Sequence, residues 1–222
     1  MPVCWASWPG NWPPDLKGGL AVKKKTNNRA SLLAILAVVA VVGLAVGSRL
    51  MVWNGGDHAQ QAAIGGPFTL VGGDGKTVTD QDFRGKWMLI YFGYTFCPDV
   101  CPTSLSVVAS ALDKLDPAQA EKVVPILISV DPARDTPAVV KDYAHAFHPR
   151  MVGLTGSQEQ VSAVMKLFKV YAARAKGGDE ETYTVDHSSI LYLMGPDGSF
   201  VSHFAHGVTV SDLAAALTKT VQ

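Results

Sequence analysis

Apolar positions between residues 67 and 222 switch back and forth between two periods. Continuous apolar runs, as strands buried on both faces require, occur in "KWMLIYFGY" (86–94) and "VVPILISV" (123–130). Elsewhere the apolar residues space out to a helical period: Leu105, Val108, Ala109, Leu112 and Leu115 within 103–115, and Val161, Val164, Phe168 and Tyr171 within 157–173. Residues 136–147 predict another helix, with Thr136 as N-cap and Pro137 in its first position, and Ser157 and Gln160 have capping-box spacing. Residues 209–221 predict a closing helix capped by Ser211. "PFTLVGGDGKTVTD" (67–80) reads as two short strands around a glycine turn, "MVGL" (151–154) as a short strand, and residues 186–204 as a hairpin turning at Gly195-Pro196-Asp197-Gly198. Strands alternating with helices predict an α/β sheet covered by helices, made mixed by the terminal hairpin.

A different pattern precedes this region. Residues 30–48, "ASLLAILAVVAVVGLAVGS", carry no charge, and "LMVW" extends the apolar character past Arg49 to Trp53. A helix of roughly 20 apolar residues spans a bilayer core, and Trp53 stands where an interfacial aromatic anchors the far end. "KKKTNNR" (23–29) precedes the span, so the N-terminus is expected in the cytoplasm and the bulk of the chain outside, which in a bacterium is the periplasm. The alternative is a signal peptide cleaved after Gly47, since Ala45 and Gly47 are small; the length of the apolar run favours a retained anchor. The expected organisation is a cytoplasmic tail (1–29), a transmembrane anchor (30–53), a Gly-rich linker (54–66) and one folded domain (67–222).

Composition adds two restrictions. At 48% hydrophobic residues the chain can bury a real core. Its formal net charge of zero hides an asymmetry: residues 1–56 carry six Lys/Arg against one Asp, and residues 57–222 carry thirteen against eighteen acids. The exported part is therefore mildly acidic, which disfavours nucleic-acid binding, since that rests on phosphate neutralisation.

Two of the three cysteines stand together in "YFGYTFCPDVCPTSL", at the carboxyl end of a buried strand and the start of a helix. Open α/β sheets place their ligands at such ends, and a helix N-terminus favours thiolate. Pro98 and Pro102 fit a restrained loop or first turn and not a helix interior. Cys97 and Cys101 thus have the means to form a disulfide, to cycle as a redox couple or to hold one soft ion. As a purely structural bridge they would close a tiny loop and stabilise little. Cys4 lies on the other side of the expected membrane from them. Between the cysteines, Asp99 either tunes the charge of a site or caps the following helix. Asp131, Arg134 and Asp135 in "SVDPARDTP" (129–137) read as a turn and cap with a local ion pair, the alternative being a role near the site, since this loop too follows a buried strand; Tyr91, Phe92 and Tyr94 read as core, with Phe96 exposed. Among the other histidines only His203 and His206 are close in sequence, and they read as exposed strand-end residues.

The spacing is C-x-x-x-C, not the C-x-x-C of a thioredoxin, and Thr95 is one position too near Cys97 for a peroxiredoxin. The run around Cys97, the stretch "SVDPARDTP" and the stretch "YTVDHSSILYLMGPDGSF" (183–200) together, in this order, resemble the Sco/SenC family of copper chaperones for cytochrome c oxidase assembly. The resemblance implies a thioredoxin-like fold, a mixed sheet flanked by helices, behind one N-terminal transmembrane helix in the inner membrane. It implies a copper site made by Cys97, Cys101 and His187, with Cys97–Cys101 also able to oxidise to a disulfide that excludes the metal. Copper, as Cu(I) and also Cu(II), is then the expected ligand; zinc is chemically compatible only as adventitious occupancy. The implied partners are the oxidase subunit carrying the binuclear copper centre and a copper donor protein. The implied role is copper delivery and not turnover catalysis, with thiol–disulfide reduction of that subunit's cysteines as the alternative.

Overall fold

A computed structural model describes residues 33, 36–43, 64–180 and 182–222. The chain divides into two units, residues 1–59 and 60–222. In the first, residues 36–43 are helical and their side chains exposed. Among the described residues no helix is long and apolar enough to cross a membrane; the expected tail, more than half of the anchor and most of the linker lie outside the described residues, as does Cys4.

The second unit is built on a seven-stranded sheet. In chain order its elements are β1 (Thr69–Gly72), β2 (Thr77–Thr79), a 3-10 turn (Asp80–Phe83), β3 (Trp87–Gly93), α1 (Val100–Leu112), the short α2 (Pro117–Ala120), β4 (Val123–Ser129), α3 (Pro137–Phe147), β5 (Val152–Thr155), α4 (Gln158–Phe168), β6 (Ala172–Arg174), β7 (Val185–His187), β8 (Leu191–Met194), β9 (Phe200–Phe204) and α5 (Val210–Thr220). The sheet order is β2-β1-β5-β4-β3-β8-β9. β3, β4 and β5 run parallel, and the remaining pairs are antiparallel. The expected mixed α/β sheet is thus observed.

β3 occupies an inner position, between β4 and β8. Its residues Met88 to Gly93 are all buried, because both faces of the sheet are covered. α1 packs against α5, α3 against β5, and α4 against β1. One aromatic cluster ties the layers: Phe168 of α4 lies 5.3 Å from Phe92 and 5.5 Å from Tyr192, centroid to centroid.

Four expectations are corrected. The helix expected over 157–173 has the predicted Ser157–Gln160 capping box but stops at Phe168, where Lys169 turns left-handed at φ 57°. Tyr171 therefore leaves the apolar stripe and is 63% exposed. Past it, Ala172–Arg174 form β6, antiparallel to β7 in a two-stranded ribbon separate from the main sheet. The strand expected from residue 186 is broken at Ser188–Ile190 into β7 and β8, and only β8 pairs with β9 around the Gly195–Gly198 turn. The cap of α5 is Thr209, whose Oγ1 accepts from the Asp212 N–H at 3.1 Å, and not Ser211. The helix expected from residue 103 begins at Val100, so Cys101 and Pro102 lie in its first turn, where a missing N–H costs nothing.

Candidate metal centre

The cysteine loop leaves β3 at Gly93 and enters α1 seven residues later. Gly93 is required by packing: a Cβ there would lie 2.9 Å from Cys101 Sγ and 2.9 Å from the Tyr91 ring. With only hydrogen at that position, the Cys101 sulfur rests against the strand and is fully buried, while Cys97 stays half-buried at the surface. The Cys101 N–H donates to Cys97 Sγ at 3.3 Å, so the opening of α1 points a backbone dipole at that sulfur.

His187 arrives from the end of β7. Its Nδ1 lies 3.1 Å from the Ser188 carbonyl, which can only accept, so Nδ1 carries the proton. Nε2 is left with its lone pair, 3.3 Å from Cys101 Sγ. The Tyr91 and Tyr94 rings stand nearly perpendicular to the imidazole, at centroid distances of 6.1 and 5.8 Å. The Tyr94 hydroxyl accepts from the Val185 N–H at 3.1 Å, which ties β7 to the strand that carries the cysteine loop.

Burial sets the charge states. It pushes the Cys101 thiol well above its ordinary pKa, with the hydrogen bond to Cys97 acting in the same direction. It lowers His187, against the opposing pull of the Ser188 carbonyl and Asp186. A neutral thiol and a neutral imidazole fit the 3.3 Å Cys101–His187 contact, with S–H donating to Nε2.

The ligand atoms of Cys97, Cys101 and His187 all lie within 4.8 Å of one another. Two sulfurs and one imidazole nitrogen form a soft donor set that suits Cu(I) and is compatible with Zn(II). The three residues thus make a candidate copper site, split between the β3–α1 junction of the main sheet and a ribbon outside it.

The second stretch singled out in the sequence, 129–137, lies behind the cysteine loop. Asp135 accepts from the Thr95 N–H at 3.1 Å, the Thr95 hydroxyl at 2.6 Å and the Ser129 hydroxyl at 2.6 Å. Arg134 pairs with Asp131 at 2.6 Å, as the turn-and-ion-pair reading expected. The alternative, a place near the site for a loop that follows a buried strand, fits the reach of Asp135 to Thr95, although Thr95 as the partner has no signal in a single sequence. Asp99 occupies the N-cap position of α1 without a capping bond from its side chain. Phe96 is 57% exposed, and Tyr91, Phe92 and Tyr94 are core, as expected. His203 and His206 are exposed, and neither belongs to a metal-ligand cluster among the described residues. Gly93 and the tyrosine walls of His187 were not read as site residues.

Comparison with known proteins agrees with this geometry. A sequence profile of the SCO1/SenC family matches residues 56–222. The mitochondrial SCO1 homolog 1 of Arabidopsis thaliana is 43% identical over 167 residues, covering 75% of this chain and 50% of that protein. The structure of Bradyrhizobium japonicum ScoI with copper bound superposes with a TM-score of 0.65 at 46% identity, over 71% of this chain and 99% of that one. BsSco, described as a member of the Sco family of cytochrome c oxidase assembly proteins with a disulfide switch, gives 0.57 at 29% identity, over 72% and 96%. The chain spans about half the length of the eukaryotic relatives it matches. The fold, the donor set and these matches lead to one conclusion: the chain belongs to the SCO1/SenC family.

Proposed function

We propose that this protein is a membrane-anchored copper carrier that binds copper through Cys97, Cys101 and His187 and passes it to the binuclear copper centre of cytochrome c oxidase during assembly. The observation that carries the reading is the convergence of three soft donors, from two separate elements, within 4.8 Å. Copper is cargo here. Two thiolates four residues apart, one in the loop after β3 and one in the first turn of α1, need little ordering to grip it, and the third ligand comes from a ribbon outside the main sheet, so one contact can be given up without unfolding the domain. The copper-bound relative supports the choice of metal. The apolar run 30–53 and the basic residues 23–29 support an anchor in the inner membrane, with the N-terminus cytoplasmic and residues 67–222 periplasmic. A copper donor protein must then supply the ion on that side.

The test is Cu(I) binding under reducing conditions by wild type and by Cys97→Ser, Cys101→Ser and His187→Ala. One ion per chain, with affinity lost in each cysteine variant and weakened by His187→Ala, is expected; unchanged affinity in all three would sink the proposal.

A second reading draws on the same dithiol, since Cys97 and Cys101 are free and adjacent. In it the two thiols reduce a disulfide of the oxidase subunit by exchange. A Cys97–Cys101 disulfide forms, two thiols form on the target, and no electrons are left over. Reduction that survives His187→Ala would favour this reading, because imidazole has no place in the exchange.

A further inference from the structure

β6 and β7 form a two-stranded ribbon outside the main sheet, and β7 ends in His187. A ribbon of three residues per strand does not hold its own position, so its ties to the domain decide where Nε2 lies. One tie is the Val185 N–H to the Tyr94 hydroxyl. Ala172 and Val185 also pack against the hydrophobic core, and a further set of contacts converges on Arg134, in the loop after β4. The Arg134 guanidinium carbon sits 3.6 Å from the ring centroid of Tyr183, the residue two before β7, and 4.7 Å from that of Phe96, the residue before Cys97. Its Nε donates to Asp131 Oδ2 at 2.6 Å, and the Tyr183 hydroxyl donates to Oδ1 of the same carboxylate at 2.7 Å. Both Tyr183 and Asp131 are buried. Arg174 of β6 also lies over the Tyr183 ring, at 4.2 Å.

We propose that Arg134 is a positioning residue of the metal centre: it staples the β6–β7 ribbon, through Tyr183, to the cysteine loop, through Phe96, and thereby holds His187 opposite Cys97 and Cys101. A planar guanidinium can stack on aromatic rings and donate in its own plane to a carboxylate at once; an ammonium cannot do both. The shape of Arg134 thus satisfies the loop after β4, the cysteine loop and the ribbon together. The inference rests on the reading of Cys97, Cys101 and His187 as a copper site, and it adds the residue that assembles the site's two halves.

Two measurements on the full-length chain test it, with Arg134→Lys and Tyr183→Leu as independent variants. The first is backbone amide exchange of the copper-free protein. Exchange across residues 172–187 should rise about tenfold or more in both variants, while β3, β4 and β8 keep wild-type protection. The second is Cu(I) affinity in wild-type and His187→Ala backgrounds. Arg134→Lys should weaken binding about tenfold in the first and leave it unchanged in the second, since a residue acting through His187 has nothing to position once that ligand is gone. Unchanged ribbon exchange, exchange rising equally through the sheet, or equal affinity losses in both backgrounds would overturn the staple. Absence of copper binding by the wild type would sink the copper reading instead, and the exchange measurement would still decide the staple.

Discussion

At His187 the decisive atom is the one turned away from the cysteines. With Nδ1–H bonded to the Ser188 carbonyl, Nε2 presents a lone pair to Cys101 Sγ at 3.3 Å. The same economy of space governs Gly93, where any side chain would collide with that sulfur. Gly93→Ala should cost about 1–3 kcal/mol by overpacking and weaken Cu(I) binding by displacing Cys101; denaturant unfolding and metal titration of one preparation check both. Asp135 gives a prediction in pH. Burial raises its carboxyl above the ordinary value of 3.8, despite the lowering effect of Ser129 and Thr95. A raised folded pKa means stability fully present below the unfolded pKa and lost as pH rises through the folded one. Relative to Asp135→Asn, wild type should therefore gain stability as the pH falls from neutral to below the ordinary carboxyl value of 3.8; wild type losing stability relative to Asp135→Asn on acidification would contradict this. Cys97 and Cys101 could be singled out in the sequence by residue type, spacing and place after a buried strand, and His187 only through the resemblance to Sco/SenC proteins. Gly93, Thr95 and Tyr183 could not, because their roles depend on neighbours 8, 40 and 52 positions away along the chain.

Among the elements, those with a strong period, a cap or a marked turn were legible, the short β1, β2 and β5 included, and the β6–β7 ribbon was not. β3 and β4 announced themselves as apolar runs, and α3 and α4 by their Thr136 and Ser157 caps. The ribbon did not, for a physical reason. Its strands are three residues each, half exposed, and stabilised by contacts with the loops after β3 and β4, so no alternation marks them. The end of α4 was hidden because Lys169 holds a left-handed conformation without being glycine or asparagine. Lys169→Gly should relieve that conformation and raise stability by about 0.5–1 kcal/mol; an unchanged or lowered denaturation midpoint would show that the Lys169 side chain contributes more than its backbone costs.

On the scale of the whole molecule, the sheet places a fixed dithiol and a detached imidazole at one end of its parallel strands. β3 brings the cysteines to its carboxyl end, and β4 ends beside it in the loop that holds Asp131, Arg134 and Asp135. The alternation of strands and helices made this α/β architecture readable in the sequence, and the resemblance to Sco/SenC proteins supplied the thioredoxin-like form. The transfer of a ligand strand from the sheet to a ribbon was not readable, since it depends on side chains from three loops meeting at one cation. The proposed function requires one copper ion held jointly by two parts of the fold, and X-ray absorption of the Cu(I)-loaded protein reads that sharing at the metal itself. Two sulfur ligands and one imidazole nitrogen should appear, with the nitrogen lost in His187→Ala; a copper environment of sulfur alone, unchanged by that substitution, would show that the ribbon takes no part in holding the ion.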